Sequence, residues 1–295
     1  MSTERLANPN LELTESFGPI SSQVVQVIEP ARNRIGINWR EIWNYRELLY
    51  FLTWRDVKVR YKQTALGAAW AVLQPVMTMI VFSVFFGKLA GLGKKTGGIP
   101  YPIYVYAGLL PWTFFANSIS NSSNSLIGSA NLITKVYFPR LVVPLAAVGA
   151  GLVDFMISLV VLLSMMLYYH IGVTWQLGLM PVFLVGTILT ATGVGTLLSA
   201  LTVAYRDFRY VVPFLVQIWM YATPVIYPSS IIPGKWRWLL SLNPMCGLID
   251  GFRSVFLSRP LDWPHIAASL AVSAVAFLLG AIYFRSVERR FADII

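Results

Sequence analysis

Between Leu66 and Phe284 the chain is a series of long apolar runs separated by short polar stretches. Six runs stand out: Leu66 to Phe86, Tyr101 to Ile119, Leu141 to Tyr168, Leu177 to Ala204, Tyr210 to Tyr227 and Ile266 to Phe284. A bilayer core of about 30 Å takes roughly 20 helical residues at about 1.5 Å each, so each run predicts a membrane-spanning helix. The runs are rich in Gly and Pro and lack the alternating ten-residue pattern of an outer-membrane barrel, which leaves an all-α bundle. Pro75, Pro111 and Pro213 lie in the first, second and fifth runs, where kinks let helices bow around a pathway.

The flanks predict three regions. Residues 1–37, polar and aperiodic, are read as a disordered cytoplasmic tail. Residues 38–65 are read as an amphipathic interface helix, with Ile42, Tyr45, Leu49 and Leu52 on one face and Arg55, Lys58 and Lys62 on a basic one. Three tryptophans within sixteen residues suit a helix lying in the membrane interface. Its basic face suits an anionic lipid head group as well as a plain membrane anchor. Residues 66–295 form the spanning domain. After its second run, "NSSNSLIGSANLITKVYFPR" is too long for a turn and too apolar for a flexible linker; it predicts a short surface helix that packs on the bundle or docks a cytoplasmic partner. Between Pro228 and Pro264, two apolar runs separated by Asn243-Pro244 are each too short to cross, as in re-entrant or interfacial helices. Asp250 and Arg253, at i and i+3, are placed to pair.

Six spans put both termini on one side. Lys and Arg number nine before the first span, two after the second, two after the fourth and three at the C-terminus, against seven in the remaining loops. Positive charge marks the cytoplasmic face, so both termini are read as cytoplasmic. The first forty residues lack the apolar core of a signal peptide, and the N-terminus is expected to stay where it is made. From Ile171 to Gly234 the only charges are Arg206, Asp207 and Arg209, within "AYRDFRY". This heptad is expected to be a tight cytoplasmic turn in which Asp207 ties down one of the arginines or a neighbouring helix.

Composition narrows the function. Only 12% of residues are charged, where soluble domains run at about 25%, so the chain is an integral membrane protein. Its formal charge of +10 is an orientation signal in such a chain, and no nucleic-acid partner is expected. Two histidines and one cysteine make no metal site of convincing spacing, and "GLGKKTGG" lacks the first glycine of a phosphate-binding loop. No pair of acidic residues faces one cytoplasmic loop, so an enzyme is not expected. Asp154 lies deep in the third span. Burying it costs about 2.5 to 3.5 kcal/mol, and it should face the bundle or a wet cavity and have a partner. Tyr101, Tyr104, Tyr106, Trp112 and Phe115 in or near the second span, with Trp219, Tyr221 and Tyr227 in the fifth, suit an aromatic belt or a surface over which sugar rings stack.

From about residue 38 to the end, the chain resembles the permease subunits of ABC-2 type transporters that export polysaccharides such as O-antigen, capsule and teichoic acid. The stretches that carry the likeness are "LTWRDVKVRYKQTALGAAWAVLQPVM", "YAGLLPWTFFANSI", "LITKVYFPRLVVPL", "AYRDFRYVVPFLVQIWMYATPVIYP", "LNPMCGLIDGFRSVF" and "VERRFADII". The resemblance implies a homodimer bound to two copies of a cytoplasmic ABC ATPase, with no cofactor in this chain and ATP and Mg in that partner. It implies that an undecaprenyl-diphosphate-linked glycan passes between the two permease chains. By position it puts Arg55, Lys58, Arg60, Tyr61 and Lys62 near the lipid access, and Asn124, Leu132, Lys135 and Arg140 in the coupling and gate region. Arg206, Asp207 and Arg209 match the cytoplasmic YRD turn, although Ala204 stands where relatives often carry a polar residue. The aromatics of the second and fifth spans match the glycan-facing surface. A proton-coupled secondary flippase using Asp154, and an ABC-2 exporter of a drug or small lipid, are the alternative readings.

Overall fold

The computed structural model describes residues 39–62, 69–233, 240–288 and 291. The predicted tail, the end of the interface helix and part of the first short run after Pro228 lie outside the described residues. Every regular element described is helical. The ten α-helices described are α1 (Trp39–Asn44), α2 (Arg46–Lys62), α3 (Ala69–Phe82), α4 (Tyr101–Gly128), α5 (Ala130–Lys135), α6 (Val142–Tyr168), α7 (Met180–Ala204), α8 (Phe208–Ala222), α9 (Pro244–Phe256) and α10 (Trp263–Val287). A π-helical stretch, Ser83–Leu89, prolongs α3.

Among the described residues, four segments are long and apolar enough to cross a bilayer: Ala69–Leu89, Val142–Tyr168, Trp175–Ala204 and Trp263–Val287. They correspond to the first, third, fourth and sixth predicted runs. The second run is longer than expected: α4 continues nine residues past Ile119 to Gly128 and extends about 42 Å. Its second half is polar, and serine and asparagine side chains there bond back to the helix: Ser123 to the Ser120 carbonyl at 2.8 Å, Ser125 to that of Ser122 at 2.7 Å. The fifth run is shorter than expected. α8 has 15 residues, about 22 Å, and stops at Ala222. Thr223 is extended (φ −101°, ψ 140°), as a residue before Pro224 tends to be, and this ends the helix.

α4 is the axis of the bundle and packs against α6, α7 and α9. Its buried face, with Phe155, Phe183 and Phe252 from those three helices, forms the larger core. A second core joins Leu52 of α2, Leu126 of α4, Ile133 of α5 and Phe284 of α10, with Tyr45 and Leu49 packed against it. The apolar face predicted for the interface helix therefore rests on the bundle. The short helix expected between the second and third runs is α5, and it packs through Ile133. By contrast α3 buries only Pro75 and α8 only Val212.

Two local features set helix positions. Asn243 caps α9 by accepting from the Met245 amide at 3.1 Å, and Pro244 follows in the first turn, where no amide is needed. α7 and α10 cross backbone to backbone: a Cβ on Gly280 would overlap the Gly193 carbonyl, and one on Gly193 would strike Phe277. α9, about 20 Å long, is buried along its whole length except at Asp250. Asp250 and Arg253 pair at 3.6 Å, as their spacing predicts.

Candidate functional site

A charged cluster lies where α2 meets α6. Thr53 of α2 packs against Gly149 and reaches the Ala146 carbonyl at 3.5 Å, which sets the register of the two helices. Further along, the Arg60 guanidinium donates to Asp154 Oδ2, and the Tyr61 hydroxyl donates to Asp154 Oδ1. Each carboxylate oxygen thus has its own donor. The Asp154 side chain is 17% exposed and that of Arg60 31%, so the pair is largely but not fully withdrawn from solvent. Burial first, then the hydrogen bond to Asp154, push the Tyr61 phenol up to about 12, and Tyr61 remains a donor at cellular pH.

This group lines a cavity of about 350 Å³ between α2, α3, α4 and α6. Thr113, Asn117 and Asn121 bring polar groups to it from one face of α4, with Trp70 and Gln74 from α3. On the far wall Ser158 bonds to the Ala71 carbonyl at 3.2 Å and joins α6 to α3. A polar, partly open chamber between apolar helices holds water and can accept a polar head group. The partner expected for Asp154 is present. Sequence reasoning did not name it, and it missed the α4 amides; the i, i+4, i+8 spacing of Thr113, Asn117 and Asn121 in a spanning run was the available signal.

The remaining predicted lipid-access residues divide. Lys58 and Lys62 are exposed on α2. Arg55 pairs with its neighbour Asp56 at 2.9 Å and reaches Ser129 Oγ at 3.5 Å. In the predicted coupling region, Asn124 bonds within α4 to the Ser120 carbonyl at 3.0 Å, Leu132 packs against the second core, and Lys135 is exposed. Arg140 is tied to the end of α10: its amide donates to Glu288 Oε1 at 3.0 Å and its guanidinium to the Glu288 carbonyl.

Two expectations are corrected. Arg206 and Asp207 form an exposed turn between α7 and α8, and Arg209 is exposed in the first turn of α8, but among the described residues Asp207 makes no ion pair and no side-chain cap. Three hydrated charges gain little from pairing at such a surface. The aromatics of the second run, expected as a glycan-stacking surface, are not on the chain's exterior, although Tyr104 borders a cavity. Tyr101, Tyr104, Tyr106, Trp112 and Phe115 are all buried within the chain. Tyr101 donates to the Ile226 carbonyl at 2.8 Å, Tyr106 to that of Ser158 at 3.2 Å, and Phe115 meets Trp219 edge-on at 5.1 Å. Trp219 in turn donates to Asn243 Oδ1 at 3.1 Å. These rings fill a core because α4 is central, so every face of its first half is covered. Tyr227 is half-buried and bonds to the Tyr221 carbonyl at 3.2 Å, while the Tyr221 ring is exposed.

Comparison with known proteins points one way. The family model described as ABC-2 type transporter matches residues 47–257. The O-antigen export system permease protein RfbA of Myxococcus xanthus is 32% identical over 258 residues, which is 86% of this chain and 97% of that protein. A protein of the same name from Klebsiella pneumoniae is 30% identical over 84% of this chain and 95% of its own length. The polysialic acid transport protein KpsM of Escherichia coli is 24% identical over 79% and 91%. The matched region contains Arg60, Tyr61 and Asp154.

Proposed function

The chain belongs to the ABC-2 type transporter family, and on that premise we propose that it is the permease of an ATP-driven exporter that carries a lipid-linked polysaccharide across the bacterial inner membrane. The names of the relatives, O-antigen and polysialic acid transport proteins, support this substrate class. The lipid is undecaprenyl diphosphate or a close equivalent, six segments span the membrane, α9 belongs to the re-entrant pair between the fifth and sixth, and both termini are cytoplasmic.

The observation that carries the reading is the cavity at Arg60, Tyr61 and Asp154. A lipid diphosphate combines a head group of concentrated negative charge with an apolar tail, and this site is a guanidinium at the inner edge of an apolar bundle. Guanidinium binds phosphate oxygens through paired donors, and exposed Lys58 and Lys62 on the same helix add attraction at the membrane surface. Asp154 holds Arg60 and Tyr61 in place and keeps the guanidinium neutralised until a phosphate competes for it. The amides of Asn117 and Asn121 can take hydroxyls of the first sugar.

A proton-coupled carrier is less well supported, because the one deep carboxylate already has a guanidinium to balance it. Energy then comes from two copies of a cytoplasmic ATPase, which bind ATP and Mg. Exposed Lys135, Val136 and Tyr137 after α5 and the turn at Arg206 to Arg209 form a docking surface. Through Arg140 and Glu288 a push there reaches α10. The exposed apolar residues of α3 and α8, among them Ile80, Val81, Leu215 and Ile218, suit a second copy of the chain, with the glycan passing between the two.

Deleting the gene tests the reading. Lipid-linked glycan accumulates on the cytoplasmic side, an ATPase co-purifies with the tagged permease, and the permease alone hydrolyses no ATP. Hydrolysis by the isolated chain would refute a separate motor, and a deletion strain without trapped glycan would move the substrate to a drug or small lipid.

A further inference from the structure

At the other end of α4 lies a second cavity, of about 610 Å³, within the roughly 300–1,000 Å³ range of small-ligand sites. Tyr104, on its wall, precedes Asn117 and Asn121 on α4 by about 20–25 Å of helix rise. In the orientation proposed above it faces the extracytoplasmic side.

Its formal charges balance: Asp250 and Asp262 stand against Arg253 and Arg259. The two arginines are already engaged. Arg253 is fully buried, lies 4.1 Å over the Tyr104 ring, and donates to the carbonyls of Tyr104 at 3.3 Å, Pro224 at 2.6 Å and Val225. Arg259 donates to the Thr96 carbonyl. All three Arg253 nitrogens are thus committed, and one arm of Arg259 is.

The acceptors are in the opposite state. The nearest basic side chains to Asp250 are Arg253 at 3.6 Å and His265, through Nδ1, at 3.9 Å, both beyond ordinary hydrogen-bond length. Nε2 of His265 is buried with no partner. Buried polar atoms are rarely left so, and the His265 side chain lines the cavity. A metal does not fit: among the described residues no group of three His, Cys, Asp or Glu is placed to hold one. A chamber with balanced formal charges, a fully engaged Arg253, a carboxylate with lone pairs to spare and an imidazole on its wall matches a neutral polyhydroxylated ligand.

We propose that this cavity is a saccharide subsite at the extracytoplasmic mouth, where Asp250 accepts from sugar hydroxyls and the His265 imidazole bonds to a neighbouring one. The proposal rests on the polysaccharide-export reading and adds a place where the emerging glycan is held from outside. Such a hold disfavours backsliding between strokes of the motor.

The test uses the permease with its ATPase in nanodiscs, titrated with maltotriose and mannotriose and, separately, with inorganic phosphate; binding is read by saturation-transfer NMR. At least one trisaccharide binds saturably, and phosphate does not compete. His265→Gln and Asp250→Asn each weaken binding by about tenfold or more. Because Asp250 also neighbours buried Arg253, Ser230→Trp provides a second variant: it fills the cavity from an exposed wall position and abolishes binding. Absence of saturable binding, equal binding in all variants, or preference for phosphate would overturn the subsite. Glycan export is assayed on the same complexes reconstituted into proteoliposomes. Export without trisaccharide binding overturns the subsite alone, whereas variant-sensitive binding in a complex that exports no glycan supports the subsite and overturns the reading beneath it.

Discussion

Replacing Asp154 by alanine removes both oxygens that Arg60 and Tyr61 hold. The loss is two hydrogen bonds to an ionised group, each worth about 1.5–3 kcal/mol when well made. A guanidinium left without its counter-charge adds to the cost, which reaches about 3–5 kcal/mol at fully buried pairs. Here the Arg60 side chain is 31% exposed and the cavity is polar, so water recovers part of the loss. The net expectation is about 2–3 kcal/mol of destabilisation for Asp154→Ala and about 1 kcal/mol for Asp154→Asn, which keeps an acceptor for Tyr61. A double-mutant cycle with Arg60→Ala in lipid nanodiscs, read by denaturant unfolding, isolates the pair. The coupling should be about 1–2 kcal/mol. Additive effects within error would refute the pairing as a source of stability. The same Asp154→Asn protein separates mechanisms: it retains ATP-driven export here, whereas a proton carrier would lose its pH-gradient dependence.

Three further outcomes follow from the packing. Gly280→Leu forces a side chain onto the Gly193 carbonyl and should cost at least about 1–3 kcal/mol, visible as a lower unfolding midpoint with α7 and α10 pushed apart. Asn243→Ala removes a helix cap together with the bonds to Trp219 and Thr223 and should destabilise by about 1–2 kcal/mol; wild-type stability in thermal unfolding would argue against that junction. Asp207→Asn should leave export and expression within about twofold of wild type, because the turn is exposed and unpaired, and loss of export would expose a role in docking the ATPase.

Much of the bundle was legible because lipid-spanning helices declare themselves in hydropathy, and Val142–Tyr168 and Trp263–Val287 lie within a few residues of the runs that predict them. The helix α2 and its packed face were legible through Tyr45, Leu49 and Leu52, and the α9 ion pair through its i, i+3 spacing. Harder to read was which helix is central. Hydropathy treats α4 and α8 as similar spans, yet the first half of α4 is covered on all sides and α8 buries only Val212. That difference reverses the meaning of their aromatics: Tyr106 and Phe115 are core, while Tyr221 is exposed. The Asp154 site was half legible. A lone carboxylate in a span demands a partner, but Arg60 is 94 positions away, and only the docking of α2 onto α6 brings the two together. The end of α8 was written in Pro224, whose effect on Thr223 a hydropathy window does not register.

The central claim is that Arg60, held by Asp154, receives the phosphate of a lipid-linked glycan for ATP-driven export. Proteoliposomes containing this permease and its partner ATPase, loaded with lipid-linked glycan in one leaflet, test it most directly. The account predicts that ATP moves the glycan to the opposite leaflet, that no movement occurs without the ATPase, and that Arg60→Ala cuts the rate by about tenfold or more at limiting substrate. ATPase-independent movement, or an Arg60→Ala protein that transports at the wild-type rate at every substrate concentration, would contradict it.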